Sequence, residues 1–316
     1  QGEDVLGNAA KKVVSALVAG VIACALCSCG AGAANDGGKE AAQDKPVVYA
    51  TFFPAYDLTK RIAGDKMDVR TVIKGNQEPH DFELQADEMA KISQADLIVY
   101  NGAGMEGFID GLKDAAEDED RFLDLSQGLT LLESKDADLG DRSSVNPHTW
   151  LSVKNAQVEL DTIYQKLSAM DPGNEPYYRA NLEAAQADFK ALDEKFEDKL
   201  SKVDPDKKRF VVSHAAFNYL ANDYGLTQVA VTGISPEDEP SASQLATIAD
   251  YVTQHGIRTI FFEGKATPKV AETLAENTGT KTDTLYTMES LTAEEADMGY
   301  LKLMELNLEA LMRSFE

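Results

Sequence analysis

From position 47 onward the chain alternates between two hydrophobic patterns. Short continuous apolar runs, too brief for helices, read as buried strands. Stretches in which apolar side chains return at three- and four-residue steps read as amphipathic helices. VVYATF (47–52) is the first run, and AYDLTKRIAG (55–64) the first helical stretch, opened by Pro54 and closed by Gly64 as a C-cap. The strand DVRTVI (68–73), a helix from Ala86 to Gln94, the strand DLIVY (96–100), a helix near Met105 to Ala115 and a short strand around Phe122 complete a first set. A second set runs through RFVVS (209–213), a helix from Ala215 to Tyr224, QVAVTG (228–233), a helix from Ser241 to His255, RTIFFE (258–263), a helix from Pro268, TDTLY (282–286) and a last helix from Ala293. Strands separated by helices imply an α/β fold of two similar lobes, each a mostly parallel sheet of about four strands flanked by helices.

Between the two sets, Tyr178, Leu182, Ala185, Phe189, Leu192, Phe196 and Leu200 fall on one face of a single long helix. Over about 25 residues it runs roughly 38 Å, the length of a small domain, so it is expected to bridge the lobes rigidly. The segmentation that follows is an N-terminal lobe over 46–172, a linking helix over 173–204 and a C-terminal lobe over 205–316.

The first 45 residues follow a different logic. Lys11 and Lys12 precede an apolar run, Val13 to Ser28, that is too short for a spanning helix and suits a secretory signal. All three cysteines, Cys24, Cys27 and Cys29, lie in or beside that run, so no later residue can form a disulfide with them. Leu26-Cys27-Ser28-Cys29-Gly30 resembles a bacterial lipobox, which makes 1–29 a signal peptide and Cys29 the lipidated residue. Gln1 to Ala10 fits no signal logic and is set aside, while GAGAANDGGKEAAQDK (30–45) is a flexible tether. The expected location is the outer face of the cytoplasmic membrane.

Charge narrows the partners. Thirty Lys+Arg against 54 Asp+Glu give a net charge of -24, which leaves no basic stripe for phosphates and argues against nucleic acid. Of the four histidines, His255 ends a helix and reads as a surface residue. His80 (in Glu78-Pro79-His80-Asp81), His148 (in Asn146-Pro147-His148-Thr149-Trp150) and His214 (directly after the strand 209–213, opening the next helix) instead occupy loops. Loops at the carboxyl ends of strands line the ligand crevice of open α/β sheets. Because these loops come from both lobes, three imidazoles can meet between them and suit a borderline metal. Spacing alone supplies no fourth ligand.

From Val47 to Glu316 the chain resembles the zinc- and manganese-specific solute-binding lipoproteins of bacterial ABC transporters. The segments that carry the resemblance are FFPAYDLTKRIAGDK (52–66), EPHDFE (78–83), ADLIVYNGAGME (95–106), NPHTWLS (146–152), SHAAFNYLANDYGL (213–226), GISPEDEPSASQL (233–245), IFFE (260–263) and LYTMESLT (285–292). It implies two lobes bridged by a rigid helix and one metal held between them by His80, His148, His214 and an acidic residue of a late loop. Glu289 is the expected fourth ligand, with Asp283 as its rival. Manganese-specific relatives tend to carry a carboxylate at the third position, so His214 favours Zn2+ over Mn2+ as the cargo. The His-rich loop of many zinc-binding members has no counterpart in ESKDADLGDRSS (133–144). The expected protein is a non-enzymatic monomer that delivers zinc to an ABC transporter permease, with manganese as the alternative. A metal-dependent hydrolase is disfavoured, since no HExxH, Ser/His/Asp elbow or P-loop occurs. A surface adhesin is the remaining rival.

Overall fold

The computed structural model describes residues 45–134, 144–263 and 268–316. Two four-stranded parallel sheets form from the apolar runs, as the pattern of the sequence implies. The first contains β1 (Val47–Ala50), β2 (Asp68–Thr71), β3 (Leu97–Tyr100) and β4 (Phe122–Asp124), in the order β2-β1-β3-β4. The second contains β7 (Arg209–Val212), β8 (Thr227–Ala230), β9 (Thr259–Phe262) and β10 (Lys281–Thr284), in the order β10-β9-β7-β8. The central strands β1, β3 and β7 are almost entirely buried, which is why they read as unbroken apolar runs. Between the sheets in sequence lies a two-stranded antiparallel ribbon, β5 (Glu133–Ser134) with β6 (Ser144–Val145), absent from the sequence expectation.

The helices in chain order are α1 (Phe53–Ala63), α2 (Ala86–Ile92), α3 (Ile109–Ala116), α4 (Val153–Met170), α5 (Glu175–Ser201), α6 (Asn218–Tyr224), α7 (Ala242–Gln254), α8 (Pro268–Thr278) and α9 (Ala293–Phe315). Pro54 lies in the first turn of α1, and Gly64 ends it with a φ of 54°, where a Cβ would strike the Tyr177 ring. α3 and α6 begin later than their sequence pattern suggests. Gly102, Ala103 and Gly104 hold φ values of 77°, 53° and 82° in a turn before α3, and residues 213–217 form the turn that carries His214. His214 therefore sits ahead of α6 rather than opening it.

α4, which the sequence expectation leaves out, buries Val153, Ala156, Leu160, Ile163 and Leu167. Ser152 caps it by accepting from the backbone N–H of Asn155 at 3.0 Å. Its apolar face also contains a carboxylate, Glu159, only 1% exposed. α5 buries Tyr178, Ala185, Phe189, Leu192, Phe196 and Leu200, and its 27 residues span about 40 Å. It packs against α1 and α4 of the first half and against α6 and α9 of the second. Phe189 stacks on Tyr300 of α9 and Phe196 on Tyr224 of α6, each with ring centroids 5.1 Å apart. One hydrophobic core therefore runs continuously from Val48 to Phe315, with a smaller one, including Ile248, Ile260 and Leu274, on the second sheet. α9 also closes back on α1, where the backbone N–H of Tyr300 reaches Asp57 at 3.4 Å.

Candidate metal centre

The loops at the carboxyl ends of the two sheets face each other, and four side chains converge there. His80 lies in the stretch between β2 and α2, and His148 precedes a short 3-10 turn, Thr149–Leu151. His214 lies between β7 and α6, and Glu289 between β10 and α9. Their ligand atoms all lie within 4.8 Å of one another. His148 Nε2 is 3.2 Å from His80 Nε2 and 3.3 Å from His214 Nε2. Glu289 Oε1 lies 2.8 Å from His80 Nε2 and 2.9 Å from His148 Nε2, and its Oε2 is 3.2 Å from His214 Nε2. For Zn–N bonds of about 2.0–2.1 Å, the edges of a tetrahedron are about 3.3 Å, so these nitrogen separations fit a small tetrahedral ion.

The loops are held by contacts distant in sequence. Trp150 donates from its indole to Thr287 O at 2.7 Å, tying the His148 segment to the Glu289 loop, and packs edge-on against Phe52. Met288 takes a left-handed φ of 64° while its side chain is 1% exposed, turning the chain sharply just before Glu289. A non-glycine residue there costs about 1–2 kcal/mol, which burial of the thioether offsets. Asn101 donates to Pro147 O at 2.8 Å and accepts from the Thr149 hydroxyl at 3.1 Å, bracketing His148 on both sides. The backbone of Asn101 and Gly102 is fixed in turn by the buried Glu106 carboxylate, at 2.7 and 3.1 Å.

The electrostatics are those of a site prepared for a cation. Burial opposes charge on His214, yet the facing carboxylates of Glu263 and Glu289 outweigh it and raise the imidazole well above its ordinary value. His80 is raised too: burial lowers it, and the Glu289 and Glu78 carboxylates more than compensate. His148, more deeply enclosed, is lowered to about 4 by burial despite Glu289. Burial would raise Glu289, but the surrounding imidazoles hold it well below the ordinary carboxylate range. Its Oε2 is buried and has no well-formed hydrogen bond, an acceptor left open at the centre of the cluster. Glu78, beside His80, is pushed up to about 7 by burial and by the charge of Glu289.

Among the residues singled out in the sequence, Asp283 is drawn elsewhere, since its carboxylate pairs with Arg313 at 2.9 Å. His255 is exposed at the end of α7, against the Tyr251 ring. Cys29 lies outside the described residues, as does most of the 133–144 loop. Two supporting residues have no role in the sequence reading. Glu263, just after β9, accepts from His214 Nδ1 at 2.6 Å and also from the Ser213 hydroxyl. Asn146 accepts from His148 Nδ1 at 2.8 Å. For Glu263 the available signal was an acidic residue ending an apolar run, as in IFFE, and for Asn146 its place two residues before His148.

Known proteins resemble this chain over most of its length. A family profile described as zinc-uptake complex component A, periplasmic, matches residues 48–314. The high-affinity zinc uptake system protein ZnuA of Bacillus subtilis is 38% identical over 298 residues, covering 91% of this chain and 92% of that protein. The zinc-binding lipoprotein AdcA of Streptococcus pneumoniae is 36% identical over 314 residues, 96% of this chain but 61% of AdcA's own length. The crystal structure of the Zn(II)-bound ZnuA-like domain of that AdcA superposes with a TM-score of 0.74 at 37% identity, covering 86% of this chain and 99% of the domain. With a match over most of its length, a close relative of nearly equal extent and a shared architecture, the chain belongs to the zinc-uptake complex component A family.

Proposed function

We propose that this protein captures zinc outside the cytoplasm and hands it to the permease of an ABC transporter. The observation that carries the reading is the convergence of His80, His148, His214 and Glu289, three nitrogens and one carboxylate group from four separate loops. With neutral imidazoles the set carries one negative charge, and its donor composition suits zinc better than a harder ion such as manganese. The imidazoles bind only when deprotonated, so capture releases protons wherever His80 and His214 are charged. Nothing chemical happens to the ion: it is enclosed, carried and released when docking weakens the site.

In the same reading 46–172 and 205–316 act as the two metal-binding lobes, with 173–204 linking them in a monomer. Cys29 carries the lipid that keeps the protein at the outer face of the membrane, and 30–45 gives it reach. The test is elemental analysis of protein purified without added metal, alongside metal uptake in cells lacking the gene. Zinc in the protein and a zinc-specific uptake defect are the expected results. Failure of manganese uptake with zinc uptake intact would overturn the choice of cargo.

A further inference from the structure

One amide side chain touches both halves of the site. Asn146 Oδ1 accepts from the Nδ1–H of His148 at 2.8 Å and from the backbone N–H of the same residue at 3.0 Å. Asn146 Nδ2 donates to Ala215 O at 2.9 Å, across 69 residues of sequence, and Ala215 directly follows His214. The two ends of the amide are not interchangeable. A carbonyl on one side and a backbone N–H on the other fix which end is oxygen, so Oδ1 must face His148. The neutral His148 ring must then carry its proton on Nδ1, which leaves Nε2 free towards the other ligands.

The geometry points to Asn146 as a positioning residue that clamps the His148 and His214 loops together and presets the His148 tautomer before an ion arrives. This rests on the zinc-site reading above and deepens it. The clamp is itself anchored: Tyr219 at the start of α6 donates its hydroxyl to Asn146 O at 2.7 Å, and the backbone N–H of Ala215 is held by Gly233 O at 2.8 Å. Asn146, His148 and His214 are all 0% exposed, so cutting the amide away leaves three buried polar groups without their partner. Glu263 orients His214 from within its own lobe, at 2.6 Å. Asn146 differs in spanning the two. An aspartate would keep the acceptor for His148 but set a second oxygen against Ala215 O, breaking the tie between the loops while leaving the ring oriented.

The experiment compares the full wild-type chain with Asn146→Ala and Asn146→Asp. Zinc affinity is read by competition with a chelator, and the His148 tautomer by long-range 1H–15N NMR of the metal-free protein. Wild type should show the Nδ1–H tautomer. Asn146→Ala should lose it and weaken zinc binding by about 10–100-fold, the range for removing a partner of a metal-bound histidine. Asn146→Asp should keep the tautomer yet still bind zinc more weakly, although its added negative charge favours a cation. Wild-type affinity in Asn146→Asp would refute the clamp, and an unchanged tautomer in Asn146→Ala would refute the orienting role. If Asn146→Ala does not fold, Asn146→Asp carries the affinity arm and the wild-type spectrum the tautomer arm. Wild-type protein that binds no zinc would sink the proposed function instead, and the tautomer measurement, which needs no metal, still decides the orienting role.

Discussion

Glu159 offers a sharp test of how the core is built. It sits on the buried face of α4 at 1% exposure, and neither carboxylate oxygen has a well-formed hydrogen bond. Burial pushes its pKa from 4.5 up to about 8. Between those two values the unfolded chain gives up the proton while the folded protein keeps it, so the unfolded state binds fewer protons and stability falls as pH rises. Each pH unit in that window costs about 1.4 kcal/mol, and the whole penalty, complete above pH ~8, is about 5 kcal/mol. Glu159→Gln abolishes the titration with almost no change of shape. Urea unfolding of both proteins in chelator at about pH 5, 6, 7 and 8 should show the wild type losing roughly 4 kcal/mol relative to the variant across the series. The comparison cancels groups that titrate alike in both. Stability profiles that stay parallel within about 0.5 kcal/mol would refute the argument and mean that Glu159 is solvated or paired in solution.

Three further outcomes are expected from the geometry and a fourth from the sequence. Glu289→Gln removes the charge at the centre of the cluster and should abolish most of the thermal stabilisation that zinc gives the wild type, read by scanning calorimetry with and without metal. Zinc affinity should fall steeply with acidification from about pH 8 to 5, since carboxylates raise His80 and His214 above their ordinary ~6.5 and protons then compete early; a flat profile by chelator competition would exclude the imidazole set. Phe196→Ala, which empties a fully buried position on α5, should cost about 3–5 kcal/mol and lower one cooperative transition, because the core is continuous across both sheets; two separated calorimetric transitions would contradict that. Cys29→Ala should leave the membrane fraction and retain its zinc affinity, and retention in the membrane after a carbonate wash would end the lipid-anchor assignment.

Much of the architecture could be read from local pattern, because strands buried on both faces are written as short apolar runs and α5 as a stripe of regular period. α4 escaped because a carboxylate, Glu159, interrupts its apolar face and blurs that period. Helix starts were misplaced where the preceding loop has a geometry of its own, since the turn at 102–104 displaces α3 and the turn bearing His214 displaces α6. In the site, His80 and His214 were suggested by their place after strands and His148 by its place in a loop, whereas Glu289 was supplied by family resemblance. Asp283 was a fair rival until the fold placed Arg313 beside it, 30 residues away. Glu263 could not be given a partner from sequence for the same reason, since His214 lies 49 residues distant, and Asn146, although two residues from His148, owes its second contact to Ala215, 69 residues away. Local periodicity records which face of an element is buried, but not what it meets.

The wide spacing of the four clustered side chains also bears on the life of the chain before it is folded. The contacts within the cluster join residues 66 to 209 positions apart, and all but the His80–His148 pair need both halves of the chain to have collapsed on α5. Contacts of such high order are assembled late on a folding route. Before the halves have joined, the chain therefore offers an ion at most the His80–His148 pair and not the complete cluster. Zinc should leave the folding rate almost untouched and act by slowing unfolding, so that the cargo lengthens the lifetime of the finished carrier without hastening its birth.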